Sequence, residues 1–195
     1  MLMIIMKTMS KFILGKKLGM TTLYDKEQGA LNVTLIECPE NTVSVVRTEE
    51  KNGYSAIQLE IAKTKNVTHR KEFRLEQQSS LAIGDRISVE SFQIGDEVQV
   101  SGITKGKGFQ GVVKRHGFKG SPATHGHKHD HRAPGSIGAQ QPQHVIKGKR
   151  MAGRMGGKRS TVKNIKIVYI DAEKNILAVQ GAVPGVVGRI VEVRG

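Results

Sequence analysis

Cysteine, aromatic residues and long apolar runs are all scarce in this 195-residue chain. The single cysteine, Cys38, has no partner for an internal disulfide, which excludes a stapled secreted scaffold. Set in an apolar run, it reads as a small buried hydrophobe. No apolar stretch approaches the ~18 residues of a membrane-crossing helix. The opening Met1-Leu2-Met3-Ile4-Ile5-Met6 is too short for a signal h-region and lacks a basic n-region and a small-residue cleavage site. Met1, Met3, Met6 and Met9 each offer a start, so the first residues read as a ragged leader of a soluble, intracellular chain. Helical periodicity is nearly absent, the best candidate being a turn or two over 110–116.

Acid is also missing, but from one place only. The formal net charge is +14. Residues 1–101 hold 13 basic and 13 acidic residues, and residues 161–195 hold five and three. Residues 102–160 hold 13 basic residues and one acid, Asp130. The same stretch carries 13 of the 23 glycines, six of the seven histidines and three of the five prolines. It has too little apolar surface to offset a chain entropy of ~1–2 kcal/mol per residue. Repulsion among its cations adds to that cost, so a polyanion is needed to order it. A merely solvated face would not require Asp and Glu to vanish from one segment while they balance the rest.

The flanks read as β. Candidate strands are 11–17, 20–24, 31–37, 42–47, 56–61, 72–76, 86–89 and 97–103, then 165–170, 176–180 and 189–193, rich in Val, Ile and Thr and broken by turn residues. Val43/Val45 and Ile57/Leu59/Ile61 alternate with polar residues, and 171–175 reads as a hairpin loop. The expected fold is mainly β: a small antiparallel β-barrel with a long, irregular basic extension inserted before the last strands. Residues 1–103 and 159–195 form the discontinuous body, and 104–158 the extension.

Several motifs point elsewhere and fall short. Gly106-Lys107-Gly108-Phe109-Gln110-Gly111 fits G-x-G-x-x-G with Asp130 downstream. A dinucleotide site also needs a full amphipathic helix and a second parallel strand, and Val112-Val113-Lys114-Arg115-His116-Gly117 is too short and too basic to supply them. His125, His127, His129 and His131 alternate, so zinc or nickel is conceivable. Lys128 and Arg132 oppose a dication there, and no cysteine is close. Imidazoles among cations suit hydrogen bonds to RNA, stacking on it, or tight backbone bends. Ser121, His125 and Asp130 can be assembled into a triad on paper, but no nucleophile elbow surrounds them, and the stretch has no paired carboxylates for acid–base work. Catalysis is therefore not expected.

The run 147–159 (KGKRMAGRMGGKR) alternates cations with small residues. A duplex-reading helix needs helix formers, whereas a glycine every few positions lets a chain thread between backbones. Arg forks and Lys point charges then meet phosphates along the way. Folded RNA, with its crowded phosphates, fits this better than a regular DNA groove. Phe109 and Phe118 are the only aromatics in 102–160, too few for a stacking platform. A nucleoid-compacting protein is the alternative, separable by competition between duplex DNA and rRNA. A metal-dependent enzyme or metallochaperone built on the histidine run is a third reading, separable by bound zinc after desalting.

Residues 13–21 (ILGKKLGMT), 102–116 (GITKGKGFQGVVKRH), 124–126 (THG), 131–138 (HRAPGSIG), 147–156 (KGKRMAGRMG) and 181–185 (GAVPG) together resemble, in order, the bacterial type of the L-three family of large ribosomal subunit proteins. The resemblance implies a structural protein that binds 23S-type rRNA near its 3′ end, assists early subunit assembly and helps shape the peptidyl transferase centre through its extension. It implies neighbouring ribosomal proteins as partners, with no membrane, cofactor or small-molecule substrate. From the charge pattern and these motifs together, the expected RNA-binding set is Lys16, Lys17, Lys105, Lys107, Lys114, Arg115, His116, Lys119, His125, Lys128, His131, Arg132, Lys147, Lys149, Arg150, Arg154, Lys158 and Arg159. Some bacterial relatives methylate a glutamine near 141, which makes Gln141 the candidate here. This chain is shorter between Ile61 and Phe73 than the family pattern, and 139–143 (AQQPQ) departs from its wording.

Overall fold

A computed structural model of the chain describes residues 11–26, 29–64, 67–75 and 81–195. In chain order the elements are β1 (Phe12–Asp25), β2 (Gly29–Glu37), β3 (Asn41–Arg47), α1 (Glu49–Asn52), β4 (Ala56–Thr64), β5 (Val67–Arg74), β6 (Arg86–Ile87), a 3₁₀ turn (Val89–Ser91), β7 (Glu97–Ile103), β8 (Phe109–Gln110), α2 (Val112–His116), β9 (Gly153–Arg154), β10 (Arg159–Asp171), β11 (Ile176–Gln180) and β12 (Ile190–Arg194). The chain is mainly β, and every strand pairing is antiparallel. It divides into two compact units, Met1–Thr104 with Arg159–Gly195, and Lys105–Lys158.

In the first unit, six strands pair in the order β1-β12-β7-β10-β11-β2, and β2 pairs back onto β1 to close a barrel. The strands after residue 158 thus complete the sheet begun by β1, β2 and β7. The other four strands, expected as part of the same barrel, instead form a separate sheet in the order β5-β4-β3-β6.

The reason lies in β1. Its start, Phe12-Ile13-Leu14, is continuously apolar instead of alternating, the pattern of a strand covered on both faces. Ile13 enters the barrel core with Ile36, Val98, Val100, Ile167, Leu177, Val179, Val191 and Val193. Phe12 and Leu14 point the other way, into a second core with Val43, Ile57, Leu59, Ile61 and Phe73. Phe12 and Phe73 stack with ring centroids 4.8 Å apart. The alternation of Ile57, Leu59 and Ile61 therefore serves the second sheet, which lies on the outer face of β1.

Two details fix this junction. A Cβ on Gly15 would sit 2.5 Å from both Cys38 Sγ and Ile36 Cγ2, so only glycine fits where β1 passes the barrel interior. Asn41 is fully buried; its Oδ1 accepts from Leu14 N (2.9 Å), and its Nδ2 donates to the carbonyls of Leu14 (3.0 Å) and Pro39 (2.8 Å). One side-chain amide thereby satisfies both backbone groups of a β1 residue that β2 does not reach.

Boundaries moved in both directions. The expected strands 11–17 and 20–24 are one strand, carried past Leu18 by a bulge between Lys17 and Gly19. The strand expected at 165–170 begins at Arg159 and absorbs a bulge between Val162 and Ile165, where Asn164 takes φ 56°. The strand expected at 86–89 stops at Ile87; the 3₁₀ turn after it buries Val89, with Phe92 beside it in the barrel core. The expected strand 72–76 overlaps β5 over 72–74, and its last residue, like the leader expected in the first residues, falls outside the described residues. The loop expected at 171–175 does turn β10 into β11, with Asn175 at φ 53° and Lys174 N donating to Asp171 Oδ1 (3.0 Å). No described helix is long and apolar enough to cross a membrane.

Candidate nucleic-acid interface

Residues 105–158 make a unit out of glycine and backbone hydrogen bonds. Its base is a two-stranded ladder in which β8 pairs with β9, Phe109 opposite Arg154 and Gln110 opposite Gly153. Lys107 N donates to Met155 O and Met155 N to Gly108 O, each at 2.9 Å. The crossing is tight because Gly156, at φ +72°, passes the Lys105 carbonyl where a Cβ would collide with its oxygen. The G-x-G-x-x-G run opens onto α2, which has five residues and ends at Gly117 in the left-handed region. With β8 and β9 antiparallel, no parallel βαβ unit surrounds it.

Only Val112 is buried in the whole segment. Asp130 is its one carboxylate, 4.0 Å from His127 Nδ1, and a single acid cannot neutralise the twelve Lys and Arg of 105–158. Neither apolar burial nor internal ion pairing can therefore supply much of the cohesion here. What the segment presents outward is charge.

Lys105, Lys107, Lys114, Lys119, Lys128, Arg132, Lys147, Lys149, Arg150, Arg154 and Lys158 are all exposed, as are His125 and His131. Arg115 and His116 are half-buried and turned inward: Arg115 Nη1 donates to Met151 O, and His116 Nε2 lies 3.1 Å from the same oxygen. A carbonyl only accepts, so Nε2 carries the proton. A Cβ on Gly153 would lie 2.8 Å from Arg115 Nη1, and the glycine leaves room for the guanidinium. These two residues anchor the returning chain, a task that their basic character did not announce.

The histidine run does not converge. His125 occupies a left-handed bend at φ 62°, and His131 Nδ1 lies 3.1 Å from Pro122 O while its own carbonyl accepts from Ser121 N at 3.3 Å. Tight bends are thus one of the expected uses that the structure displays. Among the described residues, no group of three or more His, Cys, Asp or Glu is placed to hold a metal ion. Gln141 is exposed, ahead of Pro142.

The body holds the remaining three candidates. Lys16 is exposed. Lys17 is buried, and its Nζ donates to the carbonyls of Val183 (2.7 Å) and Gly185 (3.2 Å), so its expected RNA contact is corrected to an internal clasp. Strand alternation explains the reversal: Ile13 and Gly15 face the barrel interior, so Lys17, two residues on, faces in as well while Lys16 faces out. Arg159 is half-exposed, and its Nη2 lies 2.6 Å from Glu192, which also takes Lys71 at 3.2 Å. The sequence reading passed over Lys71 and Glu192, because only the folded sheet brings such distant residues together.

The family pattern described as ribosomal protein L3 matches residues 74–177. The large ribosomal subunit protein uL3 of Prochlorococcus marinus subsp. pastoris is 45% identical over 205 aligned residues, covering 95% of this chain and 94% of that protein. Its counterpart in Thioalkalivibrio sulfidiphilus is 44% identical over 93% of this chain and 95% of its own length. That in Halorhodospira halophila is 41% identical over 93% and 96%. With likeness of this degree spanning both units, the chain belongs to the ribosomal protein L3 family.

Proposed function

We propose that the chain is a structural constituent of the large ribosomal subunit, working in the cytoplasm within the ribosome and not as an enzyme. It binds 23S-type rRNA near its 3′ end, assists early assembly and helps shape the peptidyl transferase centre through residues 105–158. The observation that carries this reading is a glycine-rich unit with twelve Lys and Arg, one acid and one buried side chain. Such a unit is completed by a polyanion: its cations neutralise phosphates that repel one another where RNA helices crowd, and released counterions supply much of the free energy. The names of its relatives support the same partner. Arg115 and His116 hold the crossing, while Lys105, Lys107, Lys114, Lys119, Lys128, Arg132, Lys147, Lys149, Arg150, Arg154 and Lys158 contact RNA, with Lys16 and the histidines 125 and 131 beside them. Neighbouring ribosomal proteins pack on the body. Gln141 is the methylation site, which intact-mass analysis of the ribosomal protein tests.

The deciding experiment is sedimentation of the full chain with large subunits in moderate salt, followed by titration of its rRNA affinity against salt. If about eight cations meet phosphate, log K against log salt falls with a slope of about −6 to −7. A slope near −1, or equal competition by duplex DNA, rejects the reading.

A further inference from the structure

The body is nearly neutral in sum, yet its cations are not evenly placed. A groove of about 420 Å³ runs between β5 and the outer faces of β10, β7 and β12. One wall is four consecutive β5 residues, 71–74. Among the described strands β5 pairs with β4 alone, and its residues 71–74 line this groove. The floor is polar: Ser101 and Thr161 share a hydroxyl–hydroxyl hydrogen bond of 2.7 Å, with Gln99 beside them. Lys71 and Arg74 stand on one side, Arg159 and Arg194 on the other.

The two carboxylates lining the groove are already matched. Glu72 takes Arg47 Nε at 2.7 Å, and Glu192 takes Arg159 and Lys71. The Arg74 guanidinium lies 4.9 Å from the centroid of the Tyr54 ring, which braces it, and its charge also favours the ionised Glu72 carboxyl. Arg74 and Arg194 make no ion pair with a carboxylate among the described residues. An apolar side chain finds little to bury here, whereas a phosphate finds a guanidinium on each wall and hydroxyls between them.

We infer that this groove is a second RNA site, on the body, and takes the phosphodiester backbone of a single RNA strand between Arg74 and Arg194. This rests on the reading that the chain binds rRNA and adds to it a groove on the body, apart from the contact at Lys16. A peptide strand adding to the β5 edge is the competing occupant; cations from both walls favour phosphate.

The test uses the full chain and large-subunit rRNA, with Arg74→Gln plus Arg194→Gln compared against Lys147→Gln plus Lys149→Gln plus Arg150→Gln. The groove pair is expected to weaken binding about tenfold and to make the salt slope shallower by about 1.4–1.8, the share of two phosphates. Its thermal midpoint is expected to stay unchanged, and its loss to add to that of the triple variant. If the triple variant weakens binding while the groove pair leaves affinity and slope untouched, the groove is not an RNA site although the wider reading survives. Unchanged rRNA affinity with loss of a neighbouring ribosomal protein from reconstituted subunits overturns it in favour of a peptide occupant. If neither variant set moves affinity or slope, rRNA binding itself fails and the inference falls with it.

Discussion

The two units of this chain spend their residues in opposite ways. Among the described residues the body buries 24 hydrophobic residues, 21 of them in two cores; the 105–158 unit buries Val112 alone. The body matches cations to carboxylates at close range, as in Lys11–Asp96 and Arg47–Glu72 at 2.7 Å. The basic unit has one carboxylate for twelve Lys and Arg. One therefore folds on its own terms, and the other leaves its charge to be settled by something outside the chain. The difference teaches that a fold and an interface can be separated along one polypeptide by denying one segment both acid and apolar bulk.

The sharpest separation comes from neutralising Lys147, Lys149 and Arg150 together. Three lost phosphate contacts flatten the salt slope by about 2–2.7 and cost roughly a hundredfold in rRNA affinity. Thermal melting of the body should not move. A drop in melting temperature of the size seen for a core variant breaks the division.

The converse variant strikes the body. Asn41→Ala orphans the buried N–H and C=O of Leu14, at about 1–3 kcal/mol for each group. Urea unfolding measures the loss, and the salt slope of the fraction that remains folded should equal that of the wild type. Lys17→Met sharpens the boundary further. It should cost about 1–3 kcal/mol by releasing the Val183 and Gly185 carbonyls, with no change in salt slope. A slope shallower by about 0.7–0.9 returns Lys17 to the RNA-binding set.

How far the sequence led depends on which residues are asked. The strands of the barrel were readable because Val, Ile and Thr recur between turn residues, and the hairpin at Asp171–Asn175 because Asn tolerates the left-handed backbone. The separate sheet was not readable. That β3–β6 cover the outer face of β1 follows from which side of Phe12 and Leu14 is left bare, a tertiary fact. The cationic segment announced itself through composition alone. The inward roles of Arg115 and His116 were hidden, since a carbonyl acceptor at Met151 leaves no trace in residue type. Lys16 and Lys17 look equivalent as letters; which face of β1 closes the barrel decides that they are not, and Lys17 shares that face with Ile13 and Gly15.

The smallest effects concern titration in the body. Hydrogen bonds from Arg47 to Glu72 and from Lys11 to Asp96 hold both carboxyls below their ordinary range. The unfolded chain therefore takes up those protons first. The stability they contribute is complete above the ordinary carboxyl range and is lost as pH falls through it to the lower folded values. Urea midpoints between about pH 6 and pH 3 should fall less steeply in Asp96→Asn than in the wild type. Burial pushes the Cys38 thiol up, so a thiol reagent should label it only after the body unfolds. Labelling of the native chain contradicts the packed barrel around it.

Amide hydrogen exchange of the full chain, with and without large-subunit rRNA, reaches the division between the units most directly. Without RNA, amides of β1, β2, β7, β11 and β12 should be protected, while those of 105–158 exchange fast outside the β8–β9 ladder and α2. With RNA, 105–158 should become protected, and in the body the change should be confined to the groove beside β5. Protection of 105–158 equal to that of the barrel strands in the absence of RNA would contradict a segment ordered by its anionic partner.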